Sequence, residues 1–212
     1  YSCVLFLRHK LYDWNILKSK SYNIPNICVG NLNLGGTGKT PHIEYLIRLL
    51  SNKYDIAVLS RGYGRKTKGY LLANENHTHN DIGDEPLQYF TKFDNIKVAV
   101  DENRCEGMEQ LLQEKNQPQV ILLDDAYQHR KIKPGLNILL TDYYYLYSDN
   151  HLVPAGNLRD IKKAAQRAEI IVVTKSPNVI TPYYRKDVEN KLKPLPHQKI
   201  FYSYIEYLDF QP

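Results

Sequence analysis

The segment NLNLGGTGKTP places three glycines, a lysine and a threonine directly before a helical apolar pattern. Glycines let backbone N–H groups converge on phosphate oxygens, because no Cβ obstructs the approach. The N-terminus of the following helix adds a partial positive charge. The lysine can reach the β- and γ-phosphates of a nucleotide, and the threonine can ligate Mg²⁺. The predicted phosphate-binding loop comprises Asn33, Leu34, Gly35, Gly36, Thr37, Gly38, Lys39 and Thr40.

This loop departs at one position from the usual pattern G-x-x-x-x-G-K-[ST], whose first glycine would fall at Asn33. Asparagine tolerates the left-handed backbone region better than most residues, so the loop can still close with Asn33 at this position. The apolar strand before the loop and the helix after it favour a phosphate site over a glycine-rich turn without a ligand.

Two adjacent carboxylates, Asp124 and Asp125, end the apolar run VILLDD. An acidic residue at the carboxyl end of a strand can hold Mg²⁺ directly or through water, as in a Walker-B strand. The alternative is two aspartates that begin a solvent loop, and the phosphate loop upstream favours the metal. In an open α/β sheet both elements lie at the carboxyl ends of strands, where ligands bind.

A second acidic pair, Asp84 and Glu85 in the segment GDEP, opens a predicted helix. Aspartate is a good N-cap, and that structural role is one interpretation. Acids that bind metal or activate a hydroxyl nucleophile must also lie at this edge of the sheet, which is the other interpretation. The spacing does not decide between the two.

Basic residues accumulate on connections, and loops that follow strands should place several of them on the nucleotide side of the sheet. They are Arg61, Arg65, Lys66, Arg104, His129, Arg130 and Arg159. Each alone is typical of a surface charge, whereas their accumulation favours recognition of phosphate or carboxylate groups. The segment VVTKSP lacks the asparagine and aspartate of the guanine-reading pattern N-K-x-D, so we reject guanine specificity.

Alternating strands and helices must position these residues. Apolar runs predict strands at residues 26–30, 55–60, 96–101, 119–125, 136–142 and 169–175. Helical patterns occur at residues 40–50, from residue 85, and at residues 102–115. This alternation predicts an α/β protein with a mostly parallel sheet covered by helices on both faces. The basic loop after the second strand is expected to form a hairpin with GYLLA, and residues 199–208 read as a further strand.

The first 20 residues carry Val4, Leu7, Leu11 and Trp14 at helical spacing, surrounded by basic residues. Such a helix can dock on the protein's own core, or it can lie in an anionic membrane interface with the tryptophan at headgroup depth. Periodicity alone favours docking on the core.

Composition narrows the function classes only slightly. With 42% hydrophobic residues, the 212-residue chain can form one sizeable core. A net charge of +5 fits an anionic partner. Three cysteines without a C-x-x-C pair indicate reduced thiols in a cytosolic setting, and no apolar run reaches the length of a membrane span. No motif for DNA or RNA binding is present, so no nucleic-acid partner is expected.

Six segments occur in the order VGNLNLGGTGKTP, LSRGYGRK, GDEP, LLDDAYQHR, LVPAGNLRD and IIVVTK. In this combination they resemble the tetraacyldisaccharide 4′-kinases, also called lipid A 4′-kinases, a family that itself lacks a glycine at the position of Asn33. The resemblance implies a P-loop NTPase-like fold and ATP-dependent phosphorylation of the 4′-hydroxyl of a tetraacyldisaccharide 1-phosphate, an anionic glycolipid. It places the protein peripherally at the cytoplasmic face of a bacterial inner membrane.

The resemblance also implies roles for single residues. Residues 33–40 cradle ATP, with Lys39 on its phosphates and Thr40 on Mg²⁺, and Tyr63 lies near the nucleotide. Asp84 is the catalytic acid–base, and Glu85, Asp124 and Asp125 organise the metal. Arg104, His129 and Arg159 lie near the phosphorylated sugar head.

By the same resemblance, residues 1–22 form a basic amphipathic helix that associates with the membrane instead of docking on the core. Residues 23–176 form the P-loop kinase core, and residues 177–212 begin a second, C-terminal lobe. In the family that lobe carries a D-H-H-type motif whose histidine partners the catalytic aspartate, and no such motif precedes Pro212. We therefore expect a truncated stretch, with most of that lobe missing, that binds nucleotide with impaired catalysis.

A second hypothesis is a membrane-associated P-loop ATPase that uses its nucleotide state as a switch. The phosphate loop and the basic first helix suit this hypothesis equally well. It predicts ATP hydrolysis without a lipid acceptor.

Overall fold

A computed structural model describes residues 2–206 of the 212-residue chain. Its helices are α1 (Ser2–Asp13), α2 (Lys39–Leu50), α3 (His79–Ile82), α4 (Asp84–Lys92), α5 (Arg104–Gln113) and α6 (Pro182–Leu192). Its strands are β1 (Asn26–Asn31), β2 (Ile56–Ser60), β3 (Leu71–Leu72), β4 (Ile96–Val100), β5 (Val120–Asp124), β6 (Leu136–Asp142), β7 (Ile170–Thr174) and β8 (Lys199–Tyr202). Two short 3₁₀ helices, Tyr147–Asp149 and Lys162–Arg167, lie between β6 and β7.

The strands form one sheet in the order β3-β4-β2-β5-β1-β6-β7-β8. Every pairing is parallel except that of β3 with β4. The central strands β2 and β5 are buried along their whole length, as expected for strands that helices cover on both faces. The predicted α/β fold with a mostly parallel sheet is therefore confirmed.

Helices pack on both faces of the sheet. On one face, Ile43 and Ile47 of α2 and Tyr89 of α4 are fully buried. On the other face, Met108 and Leu111 of α5 are fully buried in a second apolar layer. Burial of one such side chain contributes about 1.5–3 kcal/mol, so these layers hold the strand ends firmly in place.

Strands β1 and β5 are neighbours, and their carboxyl ends lead into the segments predicted to bind phosphate and metal. Val29 of β1 pairs with Asp124 of β5 in the parallel register. The N–H of Asp125 donates a hydrogen bond to the carbonyl oxygen of Val29 at 3.0 Å. Because parallel strands end at the same edge, the acidic pair lies beside the start of the phosphate loop.

Helix α1 is shorter than the predicted helix over residues 1–22. It ends at Asp13, and Asn15 adopts a φ of 58°, which is incompatible with a continuing right-handed helix. The prediction is therefore wrong for residues 14–22. No helix within residues 2–206 is long and apolar enough to cross a membrane.

The apolar residues of α1 divide between two faces. Leu5 and Tyr12 are buried. Val4, Leu7 and Trp14, which define the predicted apolar face, are exposed by 69%, 56% and 62%. The helix therefore packs on the protein through other residues than those expected from the spacing, and it leaves an apolar stripe on the surface.

The predicted hairpin with GYLLA does not form. Leu71 of β3 pairs instead with Val100 of β4, in antiparallel orientation. Arg65 draws the preceding loop toward β4, because its guanidinium donates hydrogen bonds to the carbonyl oxygen of Gly69, at 2.7 Å, and to the carboxylate of Glu102. These side-chain contacts, which the local pattern does not reveal, accompany the pairing of β3 with β4.

The sequence predicts that a second lobe begins at residue 177. In the structure, residues 177–206 instead extend the core. β8 pairs in parallel with β7, and Val188 and Leu192 of α6 are buried in the same apolar layer as α5. Burial of these side chains against the sheet explains the difference. The last residues of the predicted strand 199–208, residues 207 and 208, lie outside the described residues.

The close packing of β1 against the turn after β5 makes a stability prediction. Gly30→Ala should lower the free energy of unfolding by about 1–3 kcal/mol, because a Cβ there would lie 2.5 Å from the Cβ of Tyr127. Unfolding in urea measures the change. Gly36→Ala is the matched control, since a Cβ at Gly36 meets no atom within 4 Å. Equal losses in the two variants would contradict the packing argument.

Candidate functional site

The phosphate loop joins β1 to α2 and leaves the N-terminus of α2 without a side-chain cap. Gly38 precedes the helix with a φ of 82°, in the left-handed region that glycine adopts readily. The first N–H groups of a helix have no carbonyl partner within the helix. Such an uncapped helix start is a ready site for an anion, so the local geometry fits a phosphate.

Two asparagines hold this loop in shape. The side-chain amide of Asn31 donates to Thr37 Oγ1 at 2.8 Å and to the carbonyl oxygen of Gly35 at 3.3 Å. Asn33 does not have a positive φ, so the loop closes without the left-handed conformation at this position. Its side chain instead donates to the carbonyl oxygen of Tyr145 at 3.3 Å, and Gly35 adopts the left-handed conformation with a φ of 110°. The asparagine thus ties the loop to the segment after β6.

Asp125 lies at the centre of a charged network next to the phosphate loop. Arg159 donates to both carboxylate oxygens, with 2.9 Å between Nη1 and Oδ2, and Lys39 Nζ lies 3.9 Å from Oδ1. Arg159 also donates to Asn31 Oδ1 at 2.5 Å. Burial alone would raise the pKa of Asp125, but the hydrogen bonds and charge of Arg159, followed by Lys39, outweigh burial and lower it. The ionised carboxylate therefore connects the acidic turn to the phosphate loop.

Asp124 has the opposite electrostatic situation. It is 5% exposed, and burial, reinforced by the charge of Asp125, raises its pKa to about 6. The hydroxyl of Tyr89 donates to Oδ2 at a distance of 3.4 Å. A buried carboxylate with a raised pKa is stabilised by any cation that approaches it, which is the property expected of a metal ligand.

A cleft of about 670 Å³ collects most of the predicted site residues. Those that line it are Lys39, Thr40, Tyr63, Glu85, Arg104, Asp124, Asp125, His129 and Arg159. Loop residues 33–38 and Asp84 are not among its lining. Asp84 is exposed at the start of α4, one position before Glu85. Lys39, Thr40 and the predicted metal and sugar-head residues therefore line one cleft. The predicted acid–base residue, Asp84, lies beside them.

One wall of the cleft is formed by the buried Arg104 and the half-buried His129. Arg104 is 3% exposed and donates to the carbonyl oxygens of Asp101, at 2.5 Å, and Asp124, at 3.3 Å. Burial lowers the pKa of Arg104 to about 10, so the side chain remains charged at neutral pH. Burial, together with the charge of Arg104, lowers the pKa of His129 to about 4, so this imidazole is neutral. An anionic group suits this wall.

Sequence reasoning did not identify Arg8 and Gln128 as site residues, although both line the cleft. Arg8 Nη2 donates to the carbonyl oxygen of Gln128 at 2.9 Å across 120 positions of sequence. Gln128 Nε2 in turn donates to the carbonyl oxygen of Asn31 at 2.7 Å. The glutamine belongs to the distinctive DD-x-x-Q-H-R segment and could have been found there. The arginine stands among other basic residues of α1 and gives no such signal.

Helix α1 becomes a wall of the cleft because a buried histidine fastens it. His9 Nε2 donates to Asp160 Oδ1 at 2.5 Å, and its Nδ1 accepts from Arg130 Nη1 at 3.0 Å. Arg130 Nη2 also donates to Asp13 Oδ1 at 2.9 Å. These bonds fix α1 to Arg130 and Asp160 of the core. Leu5 and Arg8 of the helix therefore line the cleft.

A second polar network joins α2, which starts at the phosphate loop, to α4, which starts at Asp84 and Glu85. Glu44 of α2 is 5% exposed and accepts hydrogen bonds from Lys92 at 2.5 Å, Gln88 at 2.8 Å and Arg48 at 3.1 Å. Burial alone would raise the pKa of Glu44, but these hydrogen bonds, first those of Lys92 and Gln88, lower it. The network joins the middle of α2 to the second half of α4.

The donors for a metal are few. Within residues 2–206 no group of three or more His, Cys, Asp or Glu side chains forms a metal site by itself. Thr40, Glu85, Asp124 and Asp125 nevertheless border the same cleft. Mg²⁺ takes oxygen ligands, keeps several waters and commonly shares one or two carboxylates with substrate phosphates. These oxygen donors therefore fit Mg²⁺ that is bound together with a nucleotide.

Comparisons with known proteins agree on one family. A sequence model of the family described as tetraacyldisaccharide-1-P 4′-kinase matches residues 1–202. A tetraacyldisaccharide 4′-kinase of Bacteroides thetaiotaomicron is 52% identical over 100% of this chain and 56% of its own length. One of Flavobacterium johnsoniae is 54% identical over 98% of this chain and 61% of its own length. This chain thus spans little more than half the length of these curated relatives.

A solved structure is similar over the whole chain. It is the crystal structure described as the "apo" form of LpxK from Aquifex aeolicus in complex with ATP. The TM-score is 0.76 at 30% sequence identity, and the similarity covers 100% of this chain and 82% of that chain. The P-loop NTPase-like sheet is therefore shared with a protein of that name.

The Glu44 network predicts a specific dependence of stability on pH. A carboxylate whose folded pKa is depressed stabilises the fold above its ordinary value of 4.5, and this stability is lost as pH falls through the folded value. Glu44→Gln should therefore unfold more easily than wild type at pH 7, by about 1–3 kcal/mol. The two stabilities should converge below pH 4.5.

Urea unfolding between pH 7 and pH 3.5 measures this convergence. Glu75→Gln, at an exposed glutamate, is the control and should follow the wild-type curve. A gap between wild type and Glu44→Gln that stays constant with pH would show that the charge of Glu44 does not stabilise the helix pair.

Proposed function

Because this chain belongs to the tetraacyldisaccharide-1-P 4′-kinase family, we propose that the protein transfers the γ-phosphoryl group of ATP to the 4′-hydroxyl of a tetraacyldisaccharide 1-phosphate. The observation that supports this most directly is that Lys39 and Thr40 at the end of the phosphate loop, the acidic pair Asp124 and Asp125, and the buried Arg104 line one cleft. The ATP named in the description of the Aquifex aeolicus structure supports the choice of nucleotide.

The phosphate end of ATP would be held by the loop of residues 33–40 and the start of α2. Backbone N–H groups of this turn bind phosphate oxygens, and Lys39 adds a positive charge that neutralises the transferred group. Tyr63, which is 82% exposed at the rim of the cleft, lies on the proposed path of the nucleotide. Positioning and charge stabilisation supply most of the catalysis in reactions of this class.

Mg²⁺, when bound with ATP, supplies charge neutralisation between the phosphates. Thr40, Glu85, Asp124 and Asp125 are the proposed residues that hold it. Asp125 is kept ionised by Arg159, and the buried Asp124 gains most from a nearby cation. Asp125 therefore offers Mg²⁺ a carboxylate whose orientation Arg159 fixes. Asp124 offers a carboxylate that attracts the cation strongly.

Asp84 is proposed to accept the proton of the attacking sugar hydroxyl. Its exposed position at the start of α4, next to Glu85 of the cleft, leaves it accessible to a bound acceptor. The sugar head, which carries a phosphate of its own, is proposed to bind near Arg104, His129 and Arg159. Arg104 provides a counter-charge that water screens weakly, because this side chain is buried.

The acceptor is a lipid, so we further propose that α1 rests on a membrane surface as a peripheral attachment. Its exposed side chains Val4, Phe6 and Leu7, followed by Trp14, form an apolar stripe. Lys10 lies beside this stripe, 5.8 Å from the ring centroid of Trp14. Apolar side chains with nearby lysines are the composition of helices that bind anionic membrane interfaces. The proposed location is the cytoplasmic face of a bacterial inner membrane.

Two substitutions separate nucleotide binding from phosphoryl transfer. In the full-length protein, Lys39→Met should weaken Mg·ATP binding by about 10- to 100-fold, because it removes a charge-assisted hydrogen bond. Asp84→Asn should bind Mg·ATP as wild type does and lower kcat by about 100-fold or more. Calorimetry measures binding, and transfer of labelled phosphate from ATP to tetraacyldisaccharide 1-phosphate in mixed micelles measures turnover.

Lys53→Met is the matched control for the lysine, because Lys53 is exposed beyond the far end of α2. It should leave binding and turnover unchanged. Release of labelled phosphate without labelled lipid would contradict the kinase proposal and favour the nucleotide-dependent switch. Unchanged turnover in Asp84→Asn would remove the proposed role of that carboxylate.

The membrane proposal predicts a defect confined to lipid binding. The double substitution Phe6→Glu and Leu7→Glu should reduce sedimentation with phosphatidylglycerol vesicles by about tenfold or more, since two apolar side chains no longer enter the interface. Leu49→Glu is the control, because Leu49 is similarly exposed on α2. If both variants sediment like wild type, or both lose binding equally, α1 is not the attachment surface.

A further inference from the structure

His42 contacts the phosphate loop from the first turn of α2 and takes no part in the function proposed above. Its Nδ1 lies 2.7 Å from the carbonyl oxygen of Gly38, and its Nε2 lies 3.2 Å from Ser203 Oγ. Because a carbonyl oxygen only accepts hydrogen bonds, Nδ1 carries the proton in this contact. In the neutral ring, Nε2 then accepts from the hydroxyl of Ser203.

The bond to Gly38 bears on the peptide unit that begins α2. The carbonyl oxygen of Gly38 and the N–H of Lys39 belong to one planar peptide and point in opposite directions. Fixing the carbonyl direction therefore fixes the direction of the Lys39 N–H. Gly38, with a φ of 82°, lets this peptide rotate at little cost, so an additional restraint has a clear physical role.

Two donors from one residue restrain that carbonyl. The backbone N–H of His42 donates to it at 3.3 Å, a long distance for this bond, and the ring Nδ1 donates at the shorter distance of 2.7 Å. The side chain therefore contributes the better of the two hydrogen bonds. Without it, the first peptide of α2 would depend on the long backbone contact.

The ring is itself held in place by the sheet. Ser203 directly follows β8, and its N–H donates to the carbonyl oxygen of Val173 at 2.9 Å. Its own carbonyl oxygen accepts from the N–H of Ser176 at 2.9 Å. Because the backbone of Ser203 is fixed at the carboxyl ends of β7 and β8, its hydroxyl gives the imidazole a rigid second contact.

We propose that His42 is a positioning residue for the triphosphate: it holds the Gly38–Lys39 peptide so that the Lys39 N–H points out of α2 toward a bound phosphate. The inference rests on the proposed binding of ATP. His42 acts only through the backbone and touches no phosphate. Ser203 keeps the ring aimed at the loop, so the carboxyl edge of β7 and β8 contributes to the shape of the phosphate site.

A pair of substitutions separates the two ring contacts. The amide nitrogen of asparagine occupies the place of Nδ1, and that of glutamine the place of Nε2. In the full-length protein, His42→Asn should bind Mg·ATP within about twofold of wild type, whereas His42→Gln and His42→Ala should bind about 3- to 10-fold more weakly. The same weakening should appear for inorganic tripolyphosphate, because the restrained N–H serves the phosphates alone.

Kinetics supply a second measurement that a general loss of structure would not reproduce. His42→Gln should raise the KM for ATP and leave kcat within about twofold, with melting temperatures of all variants close to wild type. Equal weakening in the asparagine and glutamine variants would overturn the inference, as would wild-type binding in all of them. Weakened ATP binding with unchanged tripolyphosphate binding would also overturn it. A wild-type protein that binds neither ligand would instead contradict the proposed function itself.

Discussion

The parallel pairing of β1 with β5 is the constraint on which the candidate site depends. One strand leads into the phosphate loop and the other into the acidic pair, and their register sets Val29 opposite Asp124. A shift of one residue would turn every side chain of a strand to the opposite face of the sheet. The absence of a side chain at Gly30 lets the turn after β5 approach β1 closely. The same packing therefore sets the position of the acidic pair at the start of this turn.

The two adjacent aspartates show how neighbouring residues acquire different properties. Asp124 is buried and Asp125 is half-buried, and desolvation acts on the pKa of each in the same direction. At Asp125 the bidentate contact with Arg159 outweighs desolvation, whereas at Asp124 desolvation and the charge of the neighbour prevail. One carboxylate is thus already compensated by the protein, and the other has the larger gain from an added cation. The difference between the pKa shifts of the two aspartates follows from Arg159, which is distant from both in sequence.

Local pattern was sufficient for most of the fold. The apolar runs of β1, β2, β4, β5, β6 and β7 are continuous, because both faces of these strands are buried, and their bounds lie within one residue of the prediction. Local pattern failed where side chains from elsewhere decide the outcome. Arg65 holds the loop before β3 against Glu102, which follows β4, and the apolar residues of α6 and β8 bury against a sheet that precedes them in sequence.

The same distinction applies to the site. Residue type and spacing predicted Lys39, Thr40, Asp124 and Asp125 as site residues, and the structure brings these four to one cleft. The contact of Asn33 with Tyr145 was not predicted, because the two residues are 112 positions apart in sequence. Arg8 was missed for a similar reason, because a buried histidine fixes the helix that carries it to the rest of the protein.

Helix α1 has two opposite surfaces with different partners. Leu5 and Arg8 face the cleft, while Phe6 and Leu7 point outward. If the outward side chains enter a lipid leaflet, the opening of the cleft lies about one helix diameter, roughly 10 Å, from the headgroup plane. The proposed glycolipid acceptor could then enter the cleft from the side while its acyl chains remain in the leaflet. The proposed nucleotide would enter from the aqueous side. The two reactants would not compete for one entrance, and the energetic penalty of extracting four fatty chains into water would not arise.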